Sequence, residues 1–427
     1  MTKFKRLKRF RYFLTAITIG WFLAFRQVKR SSHWSTVLII VVMALTFLNL
    51  VVVSGILVGL IQGSENTFRA RYTGDIIIST LKQKNYIEHS PELIALIKTL
   101  PWTIGVTARY MEGGSIEANY QTRINERDPI ESAGAIITGI NPADEEVVTG
   151  ISNLVTEGQY LAPSDYDQIV IGYQLLRKYL PIDSPGLQLL DNVGVGSKVR
   201  LVLNDNTREY TVKGIIHGKV DEIGRRVFMV DSQLRPIIGR GDYNVDEISV
   251  RLKPGVDPNI VKQAILATGA GEWAKVQTWV DAQPKFLKDI KDTFALLGNM
   301  IGSIGLVVAS ITIFIVIFIN AITRRKYIGI LKGIGIDAVV IEFAYVIQSL
   351  FYASVGTLLG AVILFGVLQP YLAAHPIDFP FSDGILVATV NGTLLRVLAL
   401  MVATLIAGYI PARIVVKQNT LDAILGR

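Results

Sequence analysis

The sequence predicts a membrane protein: four transmembrane α-helices, with a large mixed α+β extracytoplasmic domain between the first and second helices. Three observations carry this. Four apolar runs, 37–61, 293–320, 339–368 and 389–410, each reach the roughly 20 residues needed to cross a bilayer. One intervening stretch, 62–292, is long and soluble in character, with 26 Lys/Arg against 30 Asp/Glu. Basic residues gather before the first run and after the second, which by the positive-inside rule places both termini and residues 321–338 in the cytoplasm.

Half of the residues are hydrophobic (50%) and the net charge is +8. The charge is unevenly placed: residues 1–34 hold nine basic and no acidic side chains. The excess flanks apolar runs, where it sets topology and meets anionic membrane lipid, so nucleic-acid binding is set aside. There is no cysteine. That excludes disulfides, thiolate metal sites and thiol chemistry, and residues 62–292 must hold together by their core alone, as two subdomains.

Residues 1–36 begin basic and continue apolar through Phe10, Phe13, Ile17, Trp21 and Phe22. This reads as an interfacial helix with cations in the headgroups and aromatics at the acyl boundary. A cleaved signal peptide would need a small-residue site before the next basic residues, and residues 23–34 are polar and basic instead. The first span, 37–61, is interrupted only by Thr46, Asn49 and Ser54. Glycines recur every fourth residue at Gly55/Gly59, Gly298/Gly302 and Gly356/Gly360, a spacing that lets helices approach closely.

In 62–292, strands are expected at 74–80, 135–140, 169–171 and 247–252, with a hairpin of 198–203 and 208–216. Helices are expected from Ser90, as cap, followed by Pro91; from 173 to Leu180; and from Asp257-Pro258 through Ala267. Trp273–Leu297 has helical periodicity and is expected to kink at Pro284 before entering the second span. No catalytic constellation stands out. His89 and His217 lack metal-ligand spacing, and Asp144, Glu145 and Glu146 suit a helix start. Gly194–Lys198 lacks the phosphate-loop pattern and precedes a strand.

After the second span comes Arg324-Arg325-Lys326-Tyr327-Ile328-Gly329-Ile330-Leu331-Lys332-Gly333-Ile334-Gly335, a short basic loop that charge alone would read as a topology signal. Residues 369–388 form an outside loop, shorter than most folded domains. Arg396 lies near the outer end of the fourth span, where it can snorkel. Residues 411–427 are the inner tail.

These stretches together resemble the MacB/LolC/LolE/FtsX superfamily of ABC transporter membrane subunits. The superfamily follows its second span with a basic pair and a Glu-Ile-Gly-Ile-Leu-Lys-like run, and ends with Pro-Ala-Arg and a Pro-x-Glu-Ala-Leu-like tail. Here the tail reads Pro411-Ala412-Arg413, then Thr420-Leu421-Asp422-Ala423-Ile424. Ile137–Pro142 and Glu157–Tyr160 match the outside region.

The resemblance implies a permease subunit in the bacterial inner membrane, paired with a second permease subunit, homo- or heterodimeric, and in some members with a periplasmic adaptor. A separate cytoplasmic ATPase would bind ATP and Mg, with no cofactor or catalytic site on this chain. Arg324, Arg325, Lys326, Tyr327, Gly329, Leu331, Lys332 and Gly335 would couple to that ATPase, with tail contacts from Pro411, Arg413 and Leu421. Motion of the outside domain would export or extract a lipid, lipoprotein, peptide or hydrophobic substrate. The alternative is an FtsX-like regulator of a cell-wall hydrolase, whose outside domain is usually smaller. Tyr327 stands where the family has Glu, and Gly333 where it has Ala, so docking here cannot use a carboxylate at 327.

Overall fold

The computed structural model describes residues 17–30, 33–121, 130–180, 188–204, 206–375, 377–379, 382–384 and 386–417. It divides into a helical unit (1–61, 289–378 and 383–427) and a mixed unit (62–288 with 379–382). Helix α1 covers residues 17–29. It falls within the helix expected over residues 1–36, whose basic start lies outside the described residues. Helix α2 (His33–Phe68) continues through a π-helical turn, Arg69–Thr73, well past the apolar limit at Ile61. Apolar length marks where a bilayer would end, whereas helices end at residues that cannot continue them. Here that residue is Gly74, at φ +65°, where a Cβ would come within 2.5 Å of the Val250 carbonyl oxygen.

The mixed unit runs β1 (Ile76–Thr80), α3 (Ser90–Thr99), β2 (Thr103–Ala118), β3 (Glu131–Ile140), α4 (Pro142–Thr149), β4 (Val155–Gly158) and β5 (Gln168–Gly172). It continues β6 (Lys198–Leu203), β7 (Asn206–Ile216), α5 (Asp221–Gly224), β8 (Arg226–Val230), α6 (Asp231–Ile237), β9 (Glu247–Leu252), α7 (Pro258–Leu266) and β10 (Ala274–Thr278). One ten-stranded sheet orders them β10-β1-β9-β2-β3-β8-β5-β7-β4, with β6 paired to β2 and β7. The β3–β8 and β5–β7 pairs are parallel. Ile76, Ile78, Ile137, Ile171, Leu201, Val227 and Ile248 form its core, all essentially without exposure.

The helix start expected around Asp144–Glu146 and the helix expected from Asp257 are both present. Asn141 caps α4 by accepting from the Ala143 and Asp144 amides at 3.0 and 3.3 Å, and Asp257 caps α7 through Asn259 at 2.9 Å. Others need correction. Ser90 does not cap α3 with its side chain: its hydroxyl donates to the Ile87 carbonyl and accepts from the Val245 amide, and His89, at φ 54°, is the capping residue. The helix expected from 173 to Leu180 is only a 3-10 turn, Tyr173–Leu175. Trp273–Leu297 is not one kinked helix. Ala274, Val276 and Thr278 alternate inward as β10, and the next helix starts only after Pro284. The apolar residues fit both periods, and pairing with β1 decided between them.

A buried ionic network holds the chain where it leaves α2. Arg109 on β2 is 2% exposed and bonds Glu145 of α4 (2.6 Å) and Glu247 of β9 (2.5 Å). It also donates to the Tyr72 carbonyl at 2.9 Å, while the Tyr72 hydroxyl donates to Glu247 at 2.7 Å and accepts from Arg226 at 3.0 Å. Arg251 donates to the Ala70 carbonyl at 2.8 Å, and Arg71 to that of Gly150 at 2.8 Å. Burial pushes the Glu247 carboxyl up, but the Arg109 and Arg226 guanidiniums outweigh it and hold Glu247 below the usual carboxylate range. Glu145 is therefore a buried ion-pair partner, beyond the helix-start charge its sequence position suggested.

Nearby, burial pushes the Asp246 carboxyl up to about 6, against its bonds from the Met111 amide (2.7 Å) and Arg240 (2.9 Å). Between the unfolded value near 4 and this raised one, the unfolded chain has released a proton the folded chain keeps. This group's contribution to stability therefore falls as pH rises through that window. In thermal melts, Asp246→Asn is expected to gain on the parent protein between pH 4.5 and 7. A gap independent of pH contradicts the assignment.

The helical unit resumes with α8 (Lys285–Thr323), α9 (Arg325–Gly333) and α10 (Ala338–Ile363). A π turn, Leu364–Leu368, leads into α11 (Gln369–Ala374), and α12 (Val390–Val416) follows the short strands β11 (Ile377–Phe379) and β12 (Ser382–Gly384). Four of these helical runs are long and apolar enough to span a membrane: Thr36–Thr73, Lys285–Thr323, Ala338–Ala374 and Val390–Val416. All are longer than the spans read from the sequence. Two limits move for local reasons. The π turn before Pro370 carries the third run to Ala374, and Pro411 is buried inside α12 instead of opening a tail.

The glycine pairs separate into two kinds. A Cβ on Gly356 would lie 2.4 Å from Met43 Cβ, and one on Gly360 2.5 Å from Phe47 Cδ1, so α10 meets α2 at near-backbone distance. Gly55 is also tight, 2.8 Å from Leu386 Cδ1, and Gly59 is buried. Gly298 and Gly302 have only ordinary contacts, at 3.5 and 3.7 Å from Leu57 and Leu50. Arg396 does not simply snorkel: its guanidinium donates to the Ser54 hydroxyl on α2.

Candidate functional site

The segment between α8 and α10 is a helix, not the short loop expected between two apolar runs. Arg, Lys and Leu favour helix, and Gly329 alone costs only about 1 kcal/mol there. Arg324 stands at the N-cap with non-helical backbone (φ −104°, ψ 15°). The stop is a Schellman motif. Gly335 at φ +93° donates to the Lys332 carbonyl, and Ile336 to that of Leu331, both at 3.0 Å. Asp337 then caps α10 through the Val339 amide at 3.2 Å. Gly335 is thus the residue that turns α9 into α10.

Helix geometry sorts the predicted residues by face. Ile328 and Gly329 are buried, and Leu331 packs on the core of the helical unit. The Lys332 ammonium donates to the Val416 carbonyl at 3.0 Å, tying α9 to the last turn of α12. Outward stand Lys326, Tyr327, Ile330, Gly333 and Ile334, at i, i+1, i+4, i+7 and i+8. Tyr327 is 69% exposed, Ile330 49% and Ile334 72%. This is an apolar stripe led by one lysine, on the outside of a helix held from behind. Sequence reasoning singled out Lys326 and Tyr327 but missed Ile330, Gly333 and Ile334; helical spacing from Tyr327 would have found them. On α12, Pro411 is buried and Arg413 is exposed, its guanidinium 5.7 Å from the Tyr409 ring. Leu421 lies outside the described residues.

The architecture is four apolar helical runs long enough to cross a membrane, a mixed-sheet domain inserted between the first two, and a short amphipathic helix between the second and third. Residues 36–268 match the family model of the MacB-like periplasmic core domain, and residues 299–420 match that of the FtsX-like permease C-terminal region. The chain belongs to this MacB/FtsX-like family of ABC transporter permeases.

Among relatives, it is 29% identical over 185 residues to the macrolide export ATP-binding/permease protein MacB of Haemophilus ducreyi, covering 42% of this chain and 25% of that protein. It is 24% identical over 282 residues to an uncharacterized ABC transporter permease of Methanocaldococcus jannaschii, covering 64% of this chain and 65% of that one. The chain thus spans about a quarter of the length of the MacB relative. Among solved structures, the periplasmic region of MacB from Actinobacillus actinomycetemcomitans aligns at TM-score 0.35 and 14% identity, over 49% of this chain and 91% of that one. The extracellular domain of the transporter YknZ from Gram-positive bacteria aligns at TM-score 0.31 and 15% identity, over 48% and 99%.

Proposed function

We propose that this chain is the permease subunit of an ABC transporter of the bacterial inner membrane, both termini cytoplasmic, with its mixed domain outside. A separate ATPase chain, carrying ATP and Mg, docks on the outward stripe of α9. A second permease subunit completes the assembly. The observation that carries this reading is the stripe itself. Tyr327, Ile330 and Ile334 are apolar, largely exposed and on one face, and exposed apolar patches mark interaction sites. The basic Arg324–Lys326 segment beside it supports a cytoplasmic placement.

In this mechanism nucleotide-driven closure of the ATPase pushes α9. Because the Schellman turn and the Lys332–Val416 bond join α9 to α10 and α12, the push moves helices instead of bending a loop. The outside domain then works on a lipid, lipoprotein, peptide or other hydrophobic substrate. Gly329→Pro removes a helical hydrogen bond and clashes with the preceding turn. It is expected to leave the chain inserted and to abolish permease-stimulated ATP hydrolysis by the co-purified ATPase, as is charge reversal at Arg324 and Arg325. Unchanged stimulation in both variants would sink the coupling role. A cell-wall hydrolase captured by the outside domain, with no exported substrate, would replace transport by regulation.

A further inference from the structure

We propose that the cavity walled by α1, α9 and α10 binds the phosphate headgroup of an acidic phospholipid. Its volume is about 440 Å³, within the range of small-molecule sites. Arg26 and Arg30 line it from α1 and the residue that follows, and Arg324 from the start of α9; no acidic residue is among the described side chains around it. None of these three arginines forms an ion pair with a described carboxylate. Three arginines lining one cavity without a counter-charge match a phosphate, which accepts several charge-assisted bonds at once.

Two orphaned polar groups point the same way. Tyr345 of α10 lines the cavity, is 1% exposed, and its hydroxyl has no hydrogen-bond partner; Gln27 also lines it, and its Oε1 has none. Buried polar atoms rarely stay unpaired. A phosphate oxygen would accept from the Tyr345 hydroxyl, and a headgroup hydroxyl would donate to Gln27. Leu23 and Leu331 supply apolar wall for the glycerol and upper acyl carbons. A lipid is favoured over free phosphate because α1 exposes Trp21, Phe22 and Phe25, each at least 60% accessible, the pattern of a helix lying at the acyl boundary. Tyr327 and Ile330 also border the cavity, but the headgroup is held by the arginines, Tyr345 and Gln27, so its binding can be read on the isolated chain whether or not an ATPase docks on α9.

The test is native mass spectrometry of the detergent-purified full chain, offered dioleoyl phosphatidylglycerol, dioleoyl phosphatidylcholine or sn-glycerol 3-phosphate. The expected result is retention of one phosphatidylglycerol, with phosphatidylcholine held about five-fold less well. The Arg26→Gln/Arg30→Gln double variant, with Arg324→Gln as a second probe, should cut retention by a similar factor. Lys29→Gln, an exposed neighbour outside the cavity, should not. Equal retention of phosphatidylcholine, or full retention by both arginine variants, overturns the site. Displacement of the lipid by millimolar sn-glycerol 3-phosphate overturns the lipid assignment in favour of a soluble phosphate.

Discussion

Replacing Arg109 by methionine is expected to destabilise the mixed domain by about 3–5 kcal/mol, the usual cost of leaving buried charges without their partner. The side chain is 2% exposed and bonds two carboxylates that are themselves buried, Glu145 and Glu247. Removing the guanidinium strands both. Arg226 is a remote substitute, at 3.9 Å from Glu247, and reaches Glu145 through no ion pair among the described residues. The Tyr72 carbonyl loses a donor as well, so the turn that follows α2 loosens together with the sheet. In thermal melts of the full chain, the domain transition should fall by on the order of 10 °C. Adding Glu145→Gln and Glu247→Gln to Arg109→Met should recover much of that loss, since the uncompensated charges are gone. If the triple variant is no more stable than the single one, the cost lies in packing and not in stranded charge.

The second large effect is expected at Gly356. A leucine there would place its Cβ 2.4 Å from Met43 Cβ and 2.9 Å from the Ile40 carbonyl oxygen. No rotamer moves a Cβ, so α10 and α2 must separate. Overpacking of this kind typically costs about 1–3 kcal/mol, and backbone contact on the far side puts the cost at the upper end. Gly356→Leu should yield little monodisperse protein in mild detergent. Gly302→Ala, whose Cβ has its nearest contact at 3.7 Å, should behave as the parent. Similar yields for the two variants would contradict the packing of α10 on α2.

These two sites show what the sequence made legible. The helix starts near Asp144 and at Asp257 were readable because their chemistry is local: the capping bonds of Asn141 and Asp257 span two or three residues. Gly356 was readable as a small residue at helix-packing spacing, but nothing local separated it from Gly302, which has the same spacing and only loose contacts. Gly408, which packs its backbone against Ser349, has no second glycine four residues away and was missed. Arg109, Glu145 and Glu247 lie on separate elements far apart in the chain, so their pairing is a property of the sheet. Strand β8, Arg226–Val230, was missed because all five of its residues are buried and it shows no alternation. The candidate site followed the same rule. The basic segment was visible as a motif, while the outward face of Tyr327, Ile330 and Ile334 emerged only once the segment proved to be a helix.

The central claim is that this face receives an ATPase. Site-specific photocrosslinking in native membranes tests it most directly, with the probe placed in turn at Ile330, at buried Ile328, and at Val195, an exposed residue of the mixed domain. The account predicts one adduct, with an ATP-hydrolysing chain, from Ile330 and none from Ile328 or Val195. No ATPase adduct from Ile330, or an equal one from Val195, would contradict it.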